Sequence, residues 1–166
     1  MLEGKRGTVA MHLYDYIEIK VPAKAQYVGV ARLTISGLAS RLGFTFDEIE
    51  DLKIAASEAV TNAVQHAYKE GEDGKVIVGC ALFSDRMEIM VADDGKSFDF
   101  EETKKRVGPY NEQEEVKFLR EGGLGLYLME TLMDEVKVYH KEGVTILMTK
   151  YLGGERVDKD VETVSS

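Results

Sequence analysis

An acidic and an amide side chain lie four residues apart in the segment EAVTNAVQHAY, at Glu58 and Asn62. One turn of helix would place both on the same stripe, where a carboxylate can act as a general base beside an amide that ligates a metal ion. Two glycine-bearing segments follow, DDGKS at residues 93–97 and GGLGL at residues 122–126. Glycine lets a backbone approach a purine ring or its phosphates closely. Together, the three segments indicate a nucleotide-binding site.

The helix that positions these two side chains is predicted to begin at Thr45 or Asp47, either of which can cap it, and to run to about residue 68. Its apolar residues share one face at helical spacing, namely Ile49, Leu52, Ala56, Ala59, Val60, Ala63 and Ala67. A separate stripe, about 120° round the helix from the centre of that face, consists of Glu58, Asn62 and His66. We therefore expect the stripe at the rim of the core, held rigidly because the alanines let the helix pack closely on a sheet.

The remaining pattern predicts the elements around this helix. Strands are expected where aromatic and β-branched residues concentrate, at residues 12–21, 75–83, 87–92, 135–140 and 144–151. Helical spacing predicts further helices at residues 24–42, capped by Gly43, and from residue 122 to 132 or 133. Residues 96–121 are polar and weakly periodic, and a connection of this length favours a functional lid. The order predicts an α/β (α+β) two-layer sandwich, with helices on one face of a mixed, mostly antiparallel sheet.

Composition limits the number of domains and the class of partner. The chain has 166 residues, 44% hydrophobic and 31% charged, which suits one compact domain. We expect that domain over residues 1–152, and a disordered tail over residues 153–166 because the tail is polar and aperiodic. With 30 acidic residues against 21 basic ones and a formal charge of −9, the chain lacks the basic footprint on which non-specific nucleic-acid binding relies.

The pattern also predicts a location in the cell. The sequence shows no signal-peptide pattern and no apolar run near the ~18 residues that would span a bilayer, so we expect a cytoplasmic protein. The single cysteine, Cys80, cannot form an internal disulfide and fits a reducing compartment. Its place in an alternating strand favours a small buried residue over a reactive thiol.

Common nucleotide and metal motifs do not account for the glycine segments. There is no G-x-x-x-x-G-K-[ST], which excludes a P-loop, and the glycines at residues 122–125 lack the spacing and the preceding strand of a dinucleotide fold. The H-R-D and D-F-G elements of eukaryotic protein kinases are also missing. The histidines His12, His66 and His140 are dispersed, so little favours a zinc site.

Three motifs in order resemble the GHKL (Bergerat) ATP-binding family over about residues 10–152: E-x-x-x-N, D-x-G and G-x-G-L, beginning at Glu58, Asp93 and Gly123. Within it, ASEAVTNAVQHAY and GGLGLYLMETLMDEV are most similar to the anti-sigma-factor serine kinases. The resemblance implies ATP and Mg²⁺ as cofactors and phosphorylation of a serine on a STAS-domain antagonist. It also implies sequestration of a sigma factor, with sigma-B favoured by the wording GGLGLYLM, and a homodimer.

The resemblance implies roles for the first two motifs. Glu58 would be the base or orienting group for the substrate serine, and Asn62 would coordinate Mg²⁺ through its carbonyl oxygen. Asp93 would accept a hydrogen bond from the exocyclic amine of adenine. Gly95 would let the backbone lie against the ring, and Thr145 would reach adenine through water.

The phosphates and the partner proteins would meet other residues. Backbone N–H groups at the start of the last helix suit the phosphates, in the segment Gly123, Leu124, Gly125 and Leu126. Arg120 would contact the terminal phosphate, although the family position for that arginine is Glu121 here. Ser97 also stands where many members have the second glycine of D-x-G-x-G. Arg32 would contact the sigma factor and the antagonist.

Simpler interpretations of several residues remain open. Thr145 could serve strand packing alone, Arg32 could be a solvated helix residue, and Glu58 could be a solvated carboxylate. His66 is interpreted as a structural residue near the helix end, with phosphate contact as its alternative. For the whole protein, the alternatives are an ATP-binding module without phosphotransfer and a kinase of a sporulation-type system.

Overall fold

The computed structural model of the protein describes residues 13–69, 74–93, 100–106, 108–109, 124–139 and 143–153. The strands in these ranges are β1 (Leu13–Pro22), β2 (Lys75–Phe83), β3 (Arg86–Ala92), β4 (Gly108–Pro109), β5 (Glu135–Tyr139) and β6 (Thr145–Tyr151). The helices are α1 (Val28–Leu42), which follows a 3-10 turn at Ala25–Tyr27, α2 (Phe46–Lys69), α3 (Phe100–Arg106) and α4 (Leu124–Leu132). None of the helices in these ranges is both long and apolar enough to cross a membrane.

The six strands form one sheet in the order β1-β2-β3-β6-β5-β4, and every described neighbour pair is antiparallel. This confirms the predicted α+β fold with a mostly antiparallel sheet. β3 lies beside β6, with Ala92 opposite Thr145. The register therefore brings Asp93, directly after β3, next to Gly143 and Val144, directly before β6.

The helices α1, α2 and α4 share one hydrophobic core with one face of the sheet. Alternate residues of β2, β3 and β6 belong to this core, including Cys80, Ile89 and Met148. Of the seven α2 residues that the helical spacing places on the buried face, Ile49 is half-buried against the core and the others are buried, namely Leu52, Ala56, Ala59, Val60, Ala63 and Ala67. Their short side chains bring the α2 backbone close to the sheet, which fixes the flank of α2 relative to β3 and β6.

A charged residue in this core ties three elements together. Lys150 on β6 has 0% exposure, and its Nζ donates to the carbonyl oxygen of Leu132 at 2.7 Å. The same Nζ lies 3.7 Å from Oδ2 of Asp51 on α2. A cation at the last carbonyls of a helix is favourable because those carbonyls lack helical partners. Lys150 thus anchors the end of α4 against α2 and β6.

The opposite face of the sheet carries α3, a helix that the sequence does not predict. Phe100 belongs to a second apolar cluster and its ring centroid lies 5.1 Å from that of Tyr16 on β1. Lys104 Nζ lies 2.8 Å from Oε1 of the buried Glu88, whose Oε2 accepts a hydrogen bond from Arg86 Nε at 2.8 Å. α3 lies within the segment predicted to be a lid, and of residues 96–121 only 100–106 and 108–109 are described.

Local signals predicted the junction of α1 and α2 correctly. Gly43 adopts φ 100°, and its N–H donates to the carbonyl oxygen of Ala39 at 3.2 Å, which ends α1 in a left-handed residue. The Glu48 N–H donates to Thr45 Oγ1 at 3.2 Å, and the Thr45 N–H donates to Glu48 Oε1 at 2.8 Å. This reciprocal pair is a capping box. The predicted tail, residues 153–166, lies outside the described residues apart from Gly153.

The predicted environment of Cys80 is confirmed. Its side chain is buried on β2, and burial raises the pKa of the thiol to about 12. A thiol of that pKa is almost entirely protonated near neutral pH and is a poor nucleophile. Cys80 is therefore a small packing residue of the core.

Candidate functional site

Asn62 is buried on α2 with an unsatisfied amide. Its relative exposure is 2%, and both Oδ1 and Nδ2 lack a hydrogen-bond partner among the described residues. Leaving a buried polar group unpaired costs about 1–3 kcal/mol, so native proteins keep such groups mainly where a ligand or another partner satisfies them. A side-chain carbonyl oxygen is a ligand that Mg²⁺ accepts. Asn62 therefore fits the metal role that the sequence suggests.

Glu58 lies one turn before Asn62 and faces the first turn of α4. A Cβ atom placed on Gly125 would be 2.5 Å from Oε2 of Glu58 and 3.1 Å from its Cδ. Real Cβ atoms do not approach a carboxylate oxygen so closely, so any larger residue at 125 would force Glu58 to move. The glycine segment and the predicted base, 67 residues apart in the chain, thus meet at van der Waals distance.

Glu58 also lines an open cavity of about 400 Å³. Its lining residues come from α1 and α2 and are Arg32, Glu50, Lys53, Ile54, Ser57, Glu58 and Thr61. We call this space the α2 cavity. Arg32 Nη1 donates to Ser57 Oγ at 3.1 Å, which holds the guanidinium beside the residue that precedes Glu58. The α2 cavity therefore offers a route by which a group from outside could reach the Glu58 carboxylate.

Asp93 is fixed at the end of β3 by the start of β6. The Val144 N–H donates to Asp93 Oδ1 at 3.0 Å, and the Asp93 N–H donates to the Val144 carbonyl oxygen at 3.2 Å. Gly143 adopts φ 121°, and a Cβ atom on it would collide with Asp93 Oδ1. Both the backbone conformation and the contact therefore require glycine at this position.

The second carboxylate oxygen of Asp93 meets α2. Oδ2 contacts Nδ1 of His66, which lies two turns beyond Glu58. The Asp93 side chain is 6% exposed, and burial raises the pKa of its carboxyl. The Val144 N–H and His66 oppose that shift because both favour the ionised form. Asp93 is thus a desolvated acceptor held from two sides.

The chain is similar to proteins of known function over most of its length. A family model described as the histidine kinase-like ATPase domain matches residues 21–150. Serine-protein kinase RsbW of Bacillus subtilis is 64% identical over 146 residues, covering 88% of this chain and 91% of the relative. RsbW of Oceanobacillus iheyensis is 55% identical over 156 residues, covering 94% of this chain and 99% of the relative. The chain belongs to the RsbW family of serine-protein kinases. The predicted family and the predicted protein-serine kinase activity are thereby confirmed.

Two solved structures share the fold of this RsbW-family chain. The RsbU and RsbW domains of a Mycobacterium tuberculosis protein match with a TM-score of 0.58 at 22% identity, covering 82% of this chain and 32% of the neighbour. The SiaB-SiaC complex from Pseudomonas aeruginosa matches with a TM-score of 0.53 at 13% identity, covering 91% and 95%. At these identities the likeness concerns the fold, and it agrees with the α+β sandwich described above.

Most of the predicted site residues that the structure describes converge on one flank of α2. Glu58 and Asn62 lie there, Gly125 abuts Glu58, and Asp93 is joined to α2 through His66. Thr145 is half-buried opposite Ala92 and thus lies beside Asp93. These residues belong to four separate parts of the chain, namely α2, the end of β3, α4 and β6, so it is the fold that brings them together.

Of the remaining predicted residues of the RsbW-family site, some lie among the described residues but away from the flank of α2, and the others lie outside the described residues. Leu126 is 1% exposed and packs in the core, so its side chain has a structural role, while Leu124 is the first residue of α4. Arg32 is half-buried at the α2 cavity. The other predicted residues lie outside the described residues, namely Gly95, Gly123 and Arg120.

Sequence reasoning missed two contributors to the site. His66 was expected to be structural, and its four-residue spacing from Asn62 indicated the right stripe without revealing Asp93 as its partner. Gly143 follows a predicted strand and precedes another, and no local signal shows that its missing side chain makes room for a carboxylate 50 residues earlier. Within the stripe, Asn62 is buried more deeply than a rim position, at 2% exposure, whereas Glu58 and His66 are half-buried, as the rim prediction implies.

Proposed function

We propose that this RsbW-family serine-protein kinase uses ATP and also sequesters a sigma factor, sigma-B in the favoured case. Its phosphorylation substrate would be a serine on a STAS-domain antagonist of that sequestration. The observation that carries this proposal is the position of Glu58, between the glycine-opened helix α4 and the α2 cavity. A carboxylate at such a boundary can serve a reaction between a nucleotide on one side and a protein hydroxyl on the other.

The nucleotide would lie along the flank of α2 that carries Asn62. Asp93 and Thr145 would recognise adenine, Gly95 would admit the ring, and the backbone from Gly123 to Gly125 would receive the phosphates at a helix N-terminus. Asn62 would present its carbonyl oxygen to Mg²⁺, which supplies charge neutralisation on the β- and γ-phosphate oxygens when bound. The unsatisfied amide of Asn62 supports this assignment.

The terminal phosphate would receive a further contact outside the described residues. Arg120 is the nearest cation to the glycine segment in sequence, one position away from the family's arginine, which here is Glu121. An arginine beside the γ-phosphate stabilises the charge that develops in phosphoryl transfer. We assign Arg120 to this role on sequence position alone.

The acceptor serine would enter through the α2 cavity. Its Oγ forms a bond to the γ-phosphorus while the bond between that phosphorus and the bridging oxygen of ADP breaks, and ADP leaves with the electron pair. Glu58 accepts or orients the hydroxyl proton. Little covalent chemistry is required of the protein, so the rate depends on how accurately Glu58 and the two substrates are positioned.

The sigma factor and the antagonist would exchange at the surface around the α2 cavity. Arg32, held by Ser57 at the α2 cavity, is placed to contact whichever protein covers that cavity. A sigma factor and the unphosphorylated antagonist would therefore compete. A phosphate added to the antagonist in this interface introduces about two negative charges that must be desolvated near Glu50 and Glu58, which favours release. We further propose that the protein is a homodimer, as the family resemblance implies.

The proposal is tested by incubating the protein with labelled ATP, Mg²⁺ and a purified STAS-domain antagonist. Label on a serine of the antagonist, absent when that serine is replaced with alanine, is the expected result. ATP binding without any phosphoserine would identify a binding module and overturn the kinase assignment. Copurification from the native host would then show which sigma subunit is held, and a sporulation-type sigma factor would contradict the sigma-B assignment.

A further inference from the structure

His66 is the third member of the stripe that contains Glu58 and Asn62. The three residues follow each other at intervals of four positions on α2, so each lies one turn beyond the last. The first turn of the stripe meets Gly125, and the third meets Asp93. One rigid helix thus touches both ends of the proposed nucleotide site.

The carboxylate of Asp93 has one oxygen held by backbone and one held by His66. Oδ1 accepts from the Val144 N–H at 3.0 Å and is crowded by Gly143, so β6 fixes that oxygen. Oδ2 is paired with His66 Nδ1. A carboxylate oxygen has two acceptor positions, so Oδ2 can accept from His66 and still accept from a second donor. Without His66, Oδ2 would lose the contact that sets its direction.

We propose that His66 is a positioning residue for purine recognition, donating from Nδ1 to Asp93 Oδ2 so that this oxygen presents its remaining acceptor position to the exocyclic amine of adenine. The inference rests on the proposed role of Asp93 in adenine recognition. It adds that the adenine contact is set from α2, the helix that also carries the proposed base and metal ligand. The single helix α2 thereby positions both the purine and the phosphates.

Nucleotide specificity follows from the same geometry. Adenine carries an amine donor at C6, whereas guanine carries a carbonyl acceptor there, so an ionised and oriented Asp93 accepts from the first and repels the second. A neutral Asp93 carboxyl could instead donate to guanine. Burial raises the pKa of the Asp93 carboxyl, and the contact with His66 opposes this, so His66 also keeps Asp93 in the form that prefers adenine.

The test compares two substitutions at position 66 in the full-length protein. His66→Leu removes the donor at similar size, whereas His66→Asn retains an N–H near the position of Nδ1. We expect His66→Leu to raise the Kd for ATP roughly ten-fold, the scale of one hydrogen bond to a charged group, and to narrow the preference for ATP over GTP. We expect His66→Asn to recover most of both losses. At saturating ATP the turnover of both variants should stay within about three-fold of wild type, because Glu58 is untouched.

Controls separate this inference from the proposed function. Gln65→Ala, an exposed neighbour on α2, should bind ATP as wild type does, with circular dichroism confirming the fold of every variant. Wild-type ATP affinity in His66→Leu, or no recovery in His66→Asn, would overturn the positioning role. Asp93→Asn is measured alongside: if it binds ATP weakly while His66→Leu binds normally, only the role of His66 fails. If Asp93→Asn binds ATP normally, the assignment of Asp93 itself fails.

Discussion

Replacing Gly125 with alanine would place a methyl group against the Glu58 carboxylate. The new Cβ atom would lie 2.5 Å from Oε2 and 3.1 Å from Cδ and Cγ of Glu58. Ordinary contacts of this kind are about 3.5–4 Å, so the carboxylate must withdraw by roughly 1 Å. The atoms that must move are the end of a flexible side chain, so we expect the fold to absorb the change and the position of Glu58 to be lost.

The size of the effect on each measurement can be worked out separately. Alanine is favoured over glycine in a helix by up to about 1 kcal/mol, which offsets part of the clash, so the free energy of unfolding should stay within about 1 kcal/mol of wild type. The N–H of residue 125 is retained, so the Kd for ATP should change less than about three-fold. A misplacement near 1 Å at the reacting centre costs on the order of 10²-fold in rate.

The assay is the initial rate of phosphoserine formation at saturating ATP and antagonist, with thermal unfolding and ATP binding measured on the same preparations. Gly37→Ala is the matched control, because Gly37 lies in α1 and a Cβ atom there meets nothing within 4 Å. That variant should keep the wild-type rate. A wild-type rate in Gly125→Ala would refute the requirement for a positioned Glu58. A raised Kd for ATP with unchanged turnover at saturating ATP would show that Gly125 serves the phosphates alone.

Three further predictions concern the core, the adenine end and the partner surface. Cys80, with a thiol pKa of about 12, should resist alkylation in the native protein at pH 8, where roughly one thiol in ten thousand is ionised, and react fully after denaturation; rapid native labelling would contradict its burial. Asp93→Asn should raise the free energy of unfolding of the nucleotide-free protein by on the order of 1 kcal/mol, and its melting temperature should rise accordingly. The same substitution should weaken ATP binding. Because the folded pKa of the Asp93 carboxyl lies above its ordinary value of 3.8, wild type loses stability as pH rises past that value. The stability advantage of Asp93→Asn should therefore grow as pH rises above about 4, and an advantage that shrinks would contradict the direction of the shift. Arg32→Ala should weaken antagonist and sigma binding roughly ten-fold, the scale of 1–2 kcal/mol, with ATP affinity unchanged; exposed Arg41 on α1 is its control, and equal effects of both substitutions would remove the special role of Arg32.

The parts of this fold that depend on local chemistry could be predicted from the sequence. The capping box of Thr45 and Glu48, the left-handed Gly43 and the apolar run of β2 all rely on neighbours within a few residues. Their energies are set by backbone hydrogen bonds and by side-chain period, which a sequence displays directly. The helix α2 was therefore predicted with the right start and the right buried face.

The parts that depend on distant contacts could not be predicted in the same way. α3 is a short polar helix held by Phe100 in a cluster on the far face of the sheet and by the ion pair of Lys104 with Glu88. Neither partner is visible from the local pattern. Asn62 was expected at the rim, but the close approach of α4 at Gly125 covers that flank of α2. The pairing of His66 with Asp93 likewise exists only because β3 ends beside α2.

The most direct test of the central claim is phosphotransfer by Glu58→Gln. Glutamine keeps the size of the side chain but cannot accept the serine proton, so phosphoserine formation should fall by about 10²–10⁴-fold, the usual contribution of a general base. ATP affinity and capture of the sigma factor should persist, because Asp93, Asn62 and Arg32 are unchanged. Turnover at the wild-type rate would contradict the account, since it would show that the carboxylate between α4 and the α2 cavity takes no part in the reaction.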